Sequence, residues 1–377
     1  MDLFSEPGDE DAALLAELRL TMVSGVGPLI RTRLIERFGS AAAVFFAKTD
    51  ELRSVEGVGP KVAKAIREAA ASDMPARELA LCRKHHVELL TQTSDAYPQE
   101  LREIHDPPGV LFLRGQFLPA DNLAVAIVGT RHATPYGLDQ AERLASGLSR
   151  AGFTIISGLA RGIDAAAHKA ALAAGGRTIG VLGSGVLNVY PPEHEDLAER
   201  VIAQGALLSE YPPHSPPLSG AFPQRNRIVT GMSVGVVVVE AATRSGALIS
   251  ARHAMEQGRD VFAVPGRVDS RTSRGCHQLI RDGAKLVESV DDVLEELGPL
   301  PAAVPRSDGQ GEIRHPAELQ LNDQEQAVLQ AIGTDPTSVD AIVVASSLPV
   351  QRVLATLSVL EMRKLIRRLS GNLLIRR

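Results

Sequence analysis

Arg131 follows Gly129 and Thr130 directly after the apolar run LAVAIV that starts at Leu123, and this grouping of residue types suits an anion. A strand that ends in a glycine turn and opens a helix aims backbone N–H groups at a ligand. Glycine admits close approach, threonine caps or hydrogen-bonds, and arginine adds a fixed cation with a planar donor fork. The stretch GTRHATPYG, ending at Gly137, therefore faces a phosphate, or else is a plain strand-to-helix connection with an exposed arginine. Two further sets carry chemistry. Ser157, Asp164 and His168 are the residue types of a hydrolytic triad. Asp164 and His168 lie one helical turn apart, however, and Ser157 lacks the G-x-S-x-G elbow, so no catalytic residue is assigned among them. Glu240 followed by Ser245-Gly246-Ala247 is a strand-end acid with a glycine turn and helix behind it. It reads either as a ribose and phosphate pocket or as a carboxylate that caps its own turn.

The elements that must position these residues follow a strand, turn, helix order from Leu123 onward. FTIIS leads into GLARGID and AAAHKAAL, then come TIGVLGSG, ALLSEYPP, VGVVVVEA and DVFAVPG. Near-continuous apolar strands alternating with helices predict an α/β, Rossmann-like, doubly wound and mostly parallel sheet, with its ligand edge at the C-terminal ends of the strands. Ser157, Gly158, Gly183-Ser184-Gly185, Glu240 and Pro265-Gly266 all fall at such ends, and FPQRNR from Phe222 opens a helix before VGVVVV. No nicotinamide cofactor is expected. The first turn is not G-x-G-x-x-G, the second strand ends in Ser157 rather than an acid, and no G-x-x-x-x-G-K-[ST] loop occurs.

A chain of 377 residues with 44% hydrophobic content buries a large core and divides into two or three domains. There is no apolar run of bilayer length and the first residues are acidic, so a cytoplasmic protein without a membrane partner is expected. Cys82 and Cys276 have no metal-site spacing and are expected to be reduced and buried, with no metal. The net charge of -5 opposes global attraction to nucleic acid, which leaves binding to local patches.

Residues 1–90 hold two similar pieces, SGVGPLIRTRLIERFGS and VEGVGPKVAKAIREAA, each a helix, a Gly-x-Gly hairpin and a second helix. A small all-α helix-hairpin-helix (SAM-like) domain follows, in which Gly57, Gly59, Lys61 and Lys64 either meet phosphates or stand on a scaffold. The Rossmann-like domain takes residues 91–297, a linker rich in Pro, Ala and Gly takes 298–318, and 319–377 reads as a winged helix. Its third helix is expected to run through MRKLI, and residues 361–377 carry six Lys or Arg against one acid, a net of +5. That face contacts duplex DNA or docks a protein.

The segments VGTRHATPYG, SGLARGIDAAAH, FPQRNRIVTG, VVEAATRSGALISA and VFAVPG, in this order, resemble the DNA-processing protein A (DprA, or Smf) family over residues 97–296. The resemblance implies a dimer that binds and protects incoming single-stranded DNA and loads the RecA recombinase in natural transformation, with single-stranded-DNA-binding protein as a further partner and no enzymatic activity. By the same resemblance Arg131, Phe222, Arg225 and Asn226 belong to the DNA pocket; the turn residues Gly129, Thr130, Ser157, Gly158 and Gly246 at the strand ends are expected to join them, with Arg161 and Lys169 as auxiliary cations. Cys276-His277 departs from the family's usual small residue and Asn. The alternative is a nucleoside-monophosphate phosphoribohydrolase, similar to lysine decarboxylase-like proteins at Glu240 and Ser245–Ala247 but lacking their longer glycine signature.

Overall fold

The computed structural model describes residues 9–297, 302–305, 311–314, 323–332, 337–346, 348–362, 365–369 and 373–376. The chain divides between Asp292 and Val293 into two compact units.

In the first unit, helices α1 (Asp9–Thr21), α2 (Pro28–Phe38), α3 (Ala41–Phe46), α4 (Thr49–Arg53), α5 (Pro60–Ala69) and α6 (Met74–Lys84) form the paired hairpins. Each hairpin turns on a glycine at positive φ, Gly25 at 86° and Gly57 at 89°, which side-chain-bearing residues rarely adopt. Pro28 and Pro60 then start α2 and α5 at the helix position where a missing N–H costs nothing. Leu20, Leu34, Val44, Leu52, Ala63 and Ile66 close the core between the helices.

The sheet contains β1 (Glu88–Thr91), β2 (Val110–Gly115), β3 (Ala124–Val128), β4 (Thr154–Ser157), β5 (Thr178–Val181), β6 (Ala206–Ser209), β7 (Gly235–Val238), β8 (Asp260–Ala263) and β9 (Lys285–Leu286). Between them lie α7 (Gln99–Arg102), α8 (Pro135–Arg150), α9 (Ile163–Ala173), α10 (Glu195–Gln204), α11 (Ala221–Gly231), α12 (Gly246–Glu256) and α13 (Arg274–Arg281), and α14 (Val290–Leu297) follows. The strand order is β1-β2-β6-β5-β4-β3-β7-β8-β9. β6 through β9 run parallel, while β1 and β2 are an antiparallel edge. All five residues of β3 are buried, as a strand covered by helices on both faces requires. The chain winds outward from β3 through β4, β5 and β6, then returns to place β7 on the other side of β3. The crevice at the ends of β3 and β7 is thus the topological switch point.

The boundary expected at residue 90 falls inside β1. The helical pair is also not insulated from the sheet, because Leu18, Leu79, Cys82, Val87, Val110, Phe112 and Val186 form one apolar cluster spanning both. Hydrophobic pattern predicts which residues are buried but not which neighbour buries them.

In the second unit β10 (Ala302–Pro305) pairs antiparallel with β11 (Gly311–Arg314), so described residues of the expected linker are strand. The nearby ends of so short a segment make pairing entropically cheap. The winged-helix elements are α15 (Asp323–Gln330), β12 (Thr337–Ser338), α16 (Val339–Ser346), α17 (Val350–Met362), β13 (Ile366–Leu369) and β14 (Leu373–Arg376), in sheet order β12-β14-β13. The third helix, described to Met362, does not run through Ile366, which begins the wing strand β13, and Leu365 and Ile366 are buried in the core of this unit. Of the basic stretch, Arg363, Lys364 and Arg377 lie outside the described residues. No single helix among the described residues is long and apolar enough to cross a membrane.

Candidate functional site

The turn after β3 is built around one carboxylate. Glu240 is 3% exposed, and its oxygens accept from Thr134 N at 2.9 Å, Thr134 Oγ1 at 2.7 Å and Thr272 Oγ1 at 3.1 Å. Its backbone carbonyl accepts from Thr130 N at 2.8 Å. Thr134 in turn caps α8 by accepting from Gly137 N at 3.1 Å. Gly137 is glycine because a Cβ there would lie 2.3 Å from the Glu240 carboxylate. Glu240 is thus a structural carboxylate, but it fastens the turn after β3 rather than its own: the Ser245–Ala247 turn is capped by Ser245, whose hydroxyl accepts from Ala247 N at 3.3 Å.

The turn after β4 uses a second buried carboxylate. Asp164 Oδ2 accepts from Gly158 N at 3.1 Å and Ala160 N at 3.4 Å, and burial pushes its pKa up. The loop it fastens includes Leu159 at φ 55° and Gly162 at φ 75°, and a Cβ on Gly162 would collide with Thr130 O at 2.3 Å. This close approach brings the β3 and β4 turns together.

At the start of α11, Phe222, Arg225 and Asn226 share one face by their spacing of three and four. Asn226 Nδ2 donates to Gly246 O at 3.3 Å, tying α11 to the first turn of α12. Arg225 is 4% exposed, and its guanidinium donates to the Val181 carbonyl while its Nε has no partner. Desolvation, with the cation of Arg131 beside it and Asp164 opposing, lowers its pKa to about 10, which leaves it charged at neutral pH. Among the described residues no carboxylate comes within ion-pair distance of it, and the buried Asp164 acts on it only through its charge. The Arg131 guanidinium lies over the Phe222 ring, 5.2 Å from its centre, and Phe222 lies 5.5 Å from Tyr190. Arg161 covers Tyr190 at 6.0 Å. Together these walls enclose an open cleft of about 670 Å³, lined by Gly129, Thr130, Arg131, Gly158, Asp164, Tyr190, Phe222, Arg225, Asn226, Ser245 and Gly246 among others. Residues of the first turns of α9, α11 and α12 line it, and helix N-termini carry partial positive charge. A cationic floor under an aromatic wall accepts a phosphate and a stacked base together.

Most of the expected site residues therefore meet. Arg161 lies at the rim, paired with Glu193 Oε1 at 2.5 Å. Three expectations change. Ser157 is fully buried and donates to Ile127 O at 2.6 Å, because it is still strand and its side chain points into the sheet. Lys169 is exposed but does not line the cleft, since α9 carries residues past its first turn away from the strand ends. Gly129 and Gly158 lack a Cβ to admit protein atoms rather than ligand: Ile163 Cγ1 would be 2.5 Å from a Cβ on Gly129, and the Arg225 guanidinium 2.3 Å from one on Gly158.

The triad is not assembled, because His168 Nδ1 bonds Thr178 Oγ1 at 2.7 Å while Ser157 bonds backbone. Cys276 is buried with its pKa pushed up to about 12, and His277 Nε2 bonds Gly266 O at 3.0 Å, so this departure from the family pattern serves the turn after β8. Both cysteines are free and buried, and no group of three metal-ligating side chains occurs among the described residues. Sequence reasoning missed Tyr190. The available signal was an aromatic beside two prolines in a chain with 3% aromatic residues.

On the opposite side of the first turn of α11 is a second cleft of about 520 Å³, reached by Val26, Pro28 and Arg31 of the first hairpin and by Tyr211, Gln224 and Arg227.

Residues 88–298 match the family described as DNA recombination-mediator protein A, residues 312–372 the DprA winged helix domain, and residues 17–72 the SAM-like helix-hairpin-helix tandem. The chain is 35% identical to the Smf protein of Synechocystis sp. over 381 residues, covering 93% of this chain and 95% of that one. It is 44% identical to the DNA processing protein DprA of Bacillus subtilis over 222 residues, 59% of this chain and 75% of that one. The X-ray structure of DNA processing protein A from Streptococcus pneumoniae superposes with a TM-score of 0.64 at 36% identity, covering 74% of this chain and 95% of that one. The Helicobacter pylori protein of the same name, solved for its single-stranded DNA binding mode, gives a TM-score of 0.51 at 31% identity over 56% of this chain and 96% of that one.

Proposed function

This chain belongs to the DNA recombination-mediator protein A (DprA/Smf) family, and from that premise we propose that it binds single-stranded DNA in the cleft at the ends of β3 and β7. The observation that carries the reading is the pairing of Arg225, a buried cation that feels Asp164 but makes no ion pair among the described residues, with the Arg131–Phe222–Tyr190 wall. Phosphates meet the cation and helix N-termini, and unstacked bases lie on the rings. One such cleft contacts only a few nucleotides, so two copies on one strand raise avidity, which favours a homodimer. Bound strand then passes to the RecA recombinase, with single-stranded-DNA-binding protein as a further partner in the cytoplasm.

This reading needs no chemical step, and the protein is not an enzyme under it. The phosphoribohydrolase alternative would need a free acid at Glu240, whose oxygens already accept three protein hydrogen bonds. The test is fluorescence anisotropy with a labelled oligonucleotide, competed by unlabelled single strand or by duplex of equal length. Single strand should compete better, with little dependence on sequence, and Arg131→Ala should weaken binding and flatten its salt dependence. Equal competition by duplex, or an Arg131→Ala variant that binds like the parent at every salt concentration, defeats the proposal. Release of base from AMP would establish the alternative instead.

A further inference from the structure

Arg161, Tyr190, Phe222 and Arg131 form a four-member stack along the cleft, with a guanidinium over a ring at each end. The two ends differ in charge. Arg131 has no carboxylate partner among the described residues, whereas Arg161 Nε donates to Glu193 Oε1 at 2.5 Å. That pair is open to solvent, with side-chain exposures of 45% and 51%, so it is exchangeable rather than part of the core. The shared hydrogen bond holds the Glu193 carboxyl below its ordinary range, which keeps it ionised and acceptor-only. A carboxylate so placed offers Arg161 what a backbone phosphate would offer.

We propose that Glu193 is a displaceable phosphate surrogate: it holds Arg161 across Tyr190 in the free protein, and a strand reaching Tyr190 must exchange this carboxylate for one of its own phosphates. The proposal rests on the single-strand reading. It makes Glu193 the residue that sets how much the Arg161 end of the stack contributes. The exchange also has an ionic signature. In the parent, Arg161 releases one ion from a phosphate while the freed Glu193 gathers a counterion, so this contact adds little to the salt dependence. Without the carboxylate the same contact adds its full share.

The experiment is anisotropy on the full chain with a labelled oligothymidine across a salt series, for the parent, Glu193→Gln, Arg161→Ala and the double variant. Glu193→Gln should bind about two- to fivefold tighter at low salt, the scale of an exposed ion pair. Its log–log salt slope should steepen by about 0.7, one single-strand phosphate contact. In the Arg161→Ala background the gain should vanish. Parental affinity and slope in Glu193→Gln overturn the proposal, and so does an equal gain without Arg161, which would mean general repulsion by Glu193. Failure of the single-strand reading is separately visible, since it appears as a parent that does not bind the oligonucleotide with Glu193 intact, and it removes this proposal too.

Discussion

Arg225 and Arg227 sit two residues apart on α11, at 4% and 5% exposure, yet they serve opposite ends. Arg227 faces the second cleft, where it bonds the Asp106 carbonyl at 2.6 Å, the Asp106 carboxylate at 3.2 Å and the Glu210 carboxylate. Arg225 faces the first cleft with one backbone carbonyl and an idle Nε. A buried cation is tolerated when it is paired, and Arg227 satisfies that rule inside the protein. Arg225 has only the charge of the buried Asp164 near it, short of an ion pair, so an anion from outside would complete its pairing. Equal burial therefore says little about function, while the presence or absence of a carboxylate partner says a good deal.

The largest effect should come from breaking the paired side. Arg227→Ala leaves Asp106 and Glu210 without their cation, and breaking a buried pair costs about 3–5 kcal/mol. Urea unfolding should show that loss, while the fraction that remains folded should hold single-stranded DNA nearly as the parent does. Arg225→Ala should do the reverse. Its affinity loss should be that of a charge-assisted hydrogen bond, about 1.5–3 kcal/mol, or roughly tenfold to a hundredfold, with a smaller loss of stability. Gly158→Ala sharpens the point, because a Cβ there displaces the guanidinium without deleting it and should weaken binding in the same direction. If the two arginine variants lose stability and affinity alike, the contrast between the clefts is wrong.

Acid should act from beneath the Arg225 side. His168 is fully buried, and desolvation first, then the charges of Arg225 and His194, lower its pKa from 6.5 to about 3. A depressed histidine folds neutral, so its contribution is intact above pH 6.5 and is lost as pH falls from there toward 3. The slope is about 1.4 kcal/mol per pH unit, hence about 2 kcal/mol by pH 5. Unfolding midpoints between pH 7 and 5 should fall by that amount in the parent and by clearly less in His168→Gln. An unchanged slope in the variant would assign the acid sensitivity elsewhere.

The sequence made part of this contrast readable. Phe222, Arg225 and Asn226 could be placed on one helix face by spacing, and the strand–turn–helix order followed from continuous apolar runs such as VGVVVV. Their convergence with Arg131 depends on β7 lying beside β3, which no local pattern encodes. Tyr190 arrives from the loop between β5 and α10, and its place in the cleft depends on the closed fold in the same way. That the missing Cβ of Gly129 makes room for Ile163, and that of Gly158 for Arg225, is not legible in sequence, where such a glycine looks like one that admits a ligand. The carboxylates of Asp106 and Glu210, distant in the chain from Arg227 and from each other, distinguish the two arginines only once the fold is closed.

The smallest expected effect separates stacking from charge within the first cleft. Phe222 carries the Arg131 guanidinium over its ring and is tilted 46° to Tyr190, so the ring is a rest for a cation and, at its open surface, a platform for a base. Phe222→Leu keeps an apolar side chain of similar bulk and removes the π-face. The stacking loss should be about 1 kcal/mol, the low end for one base, or roughly fivefold in affinity. Because no phosphate contact is deleted, the log–log salt slope should stay parental, whereas Arg131→Ala should flatten it. A flattened slope in Phe222→Leu would mean that the ring acts by aiming Arg131 at a phosphate. The aromatic wall would then belong to the electrostatics of the cleft rather than to base recognition.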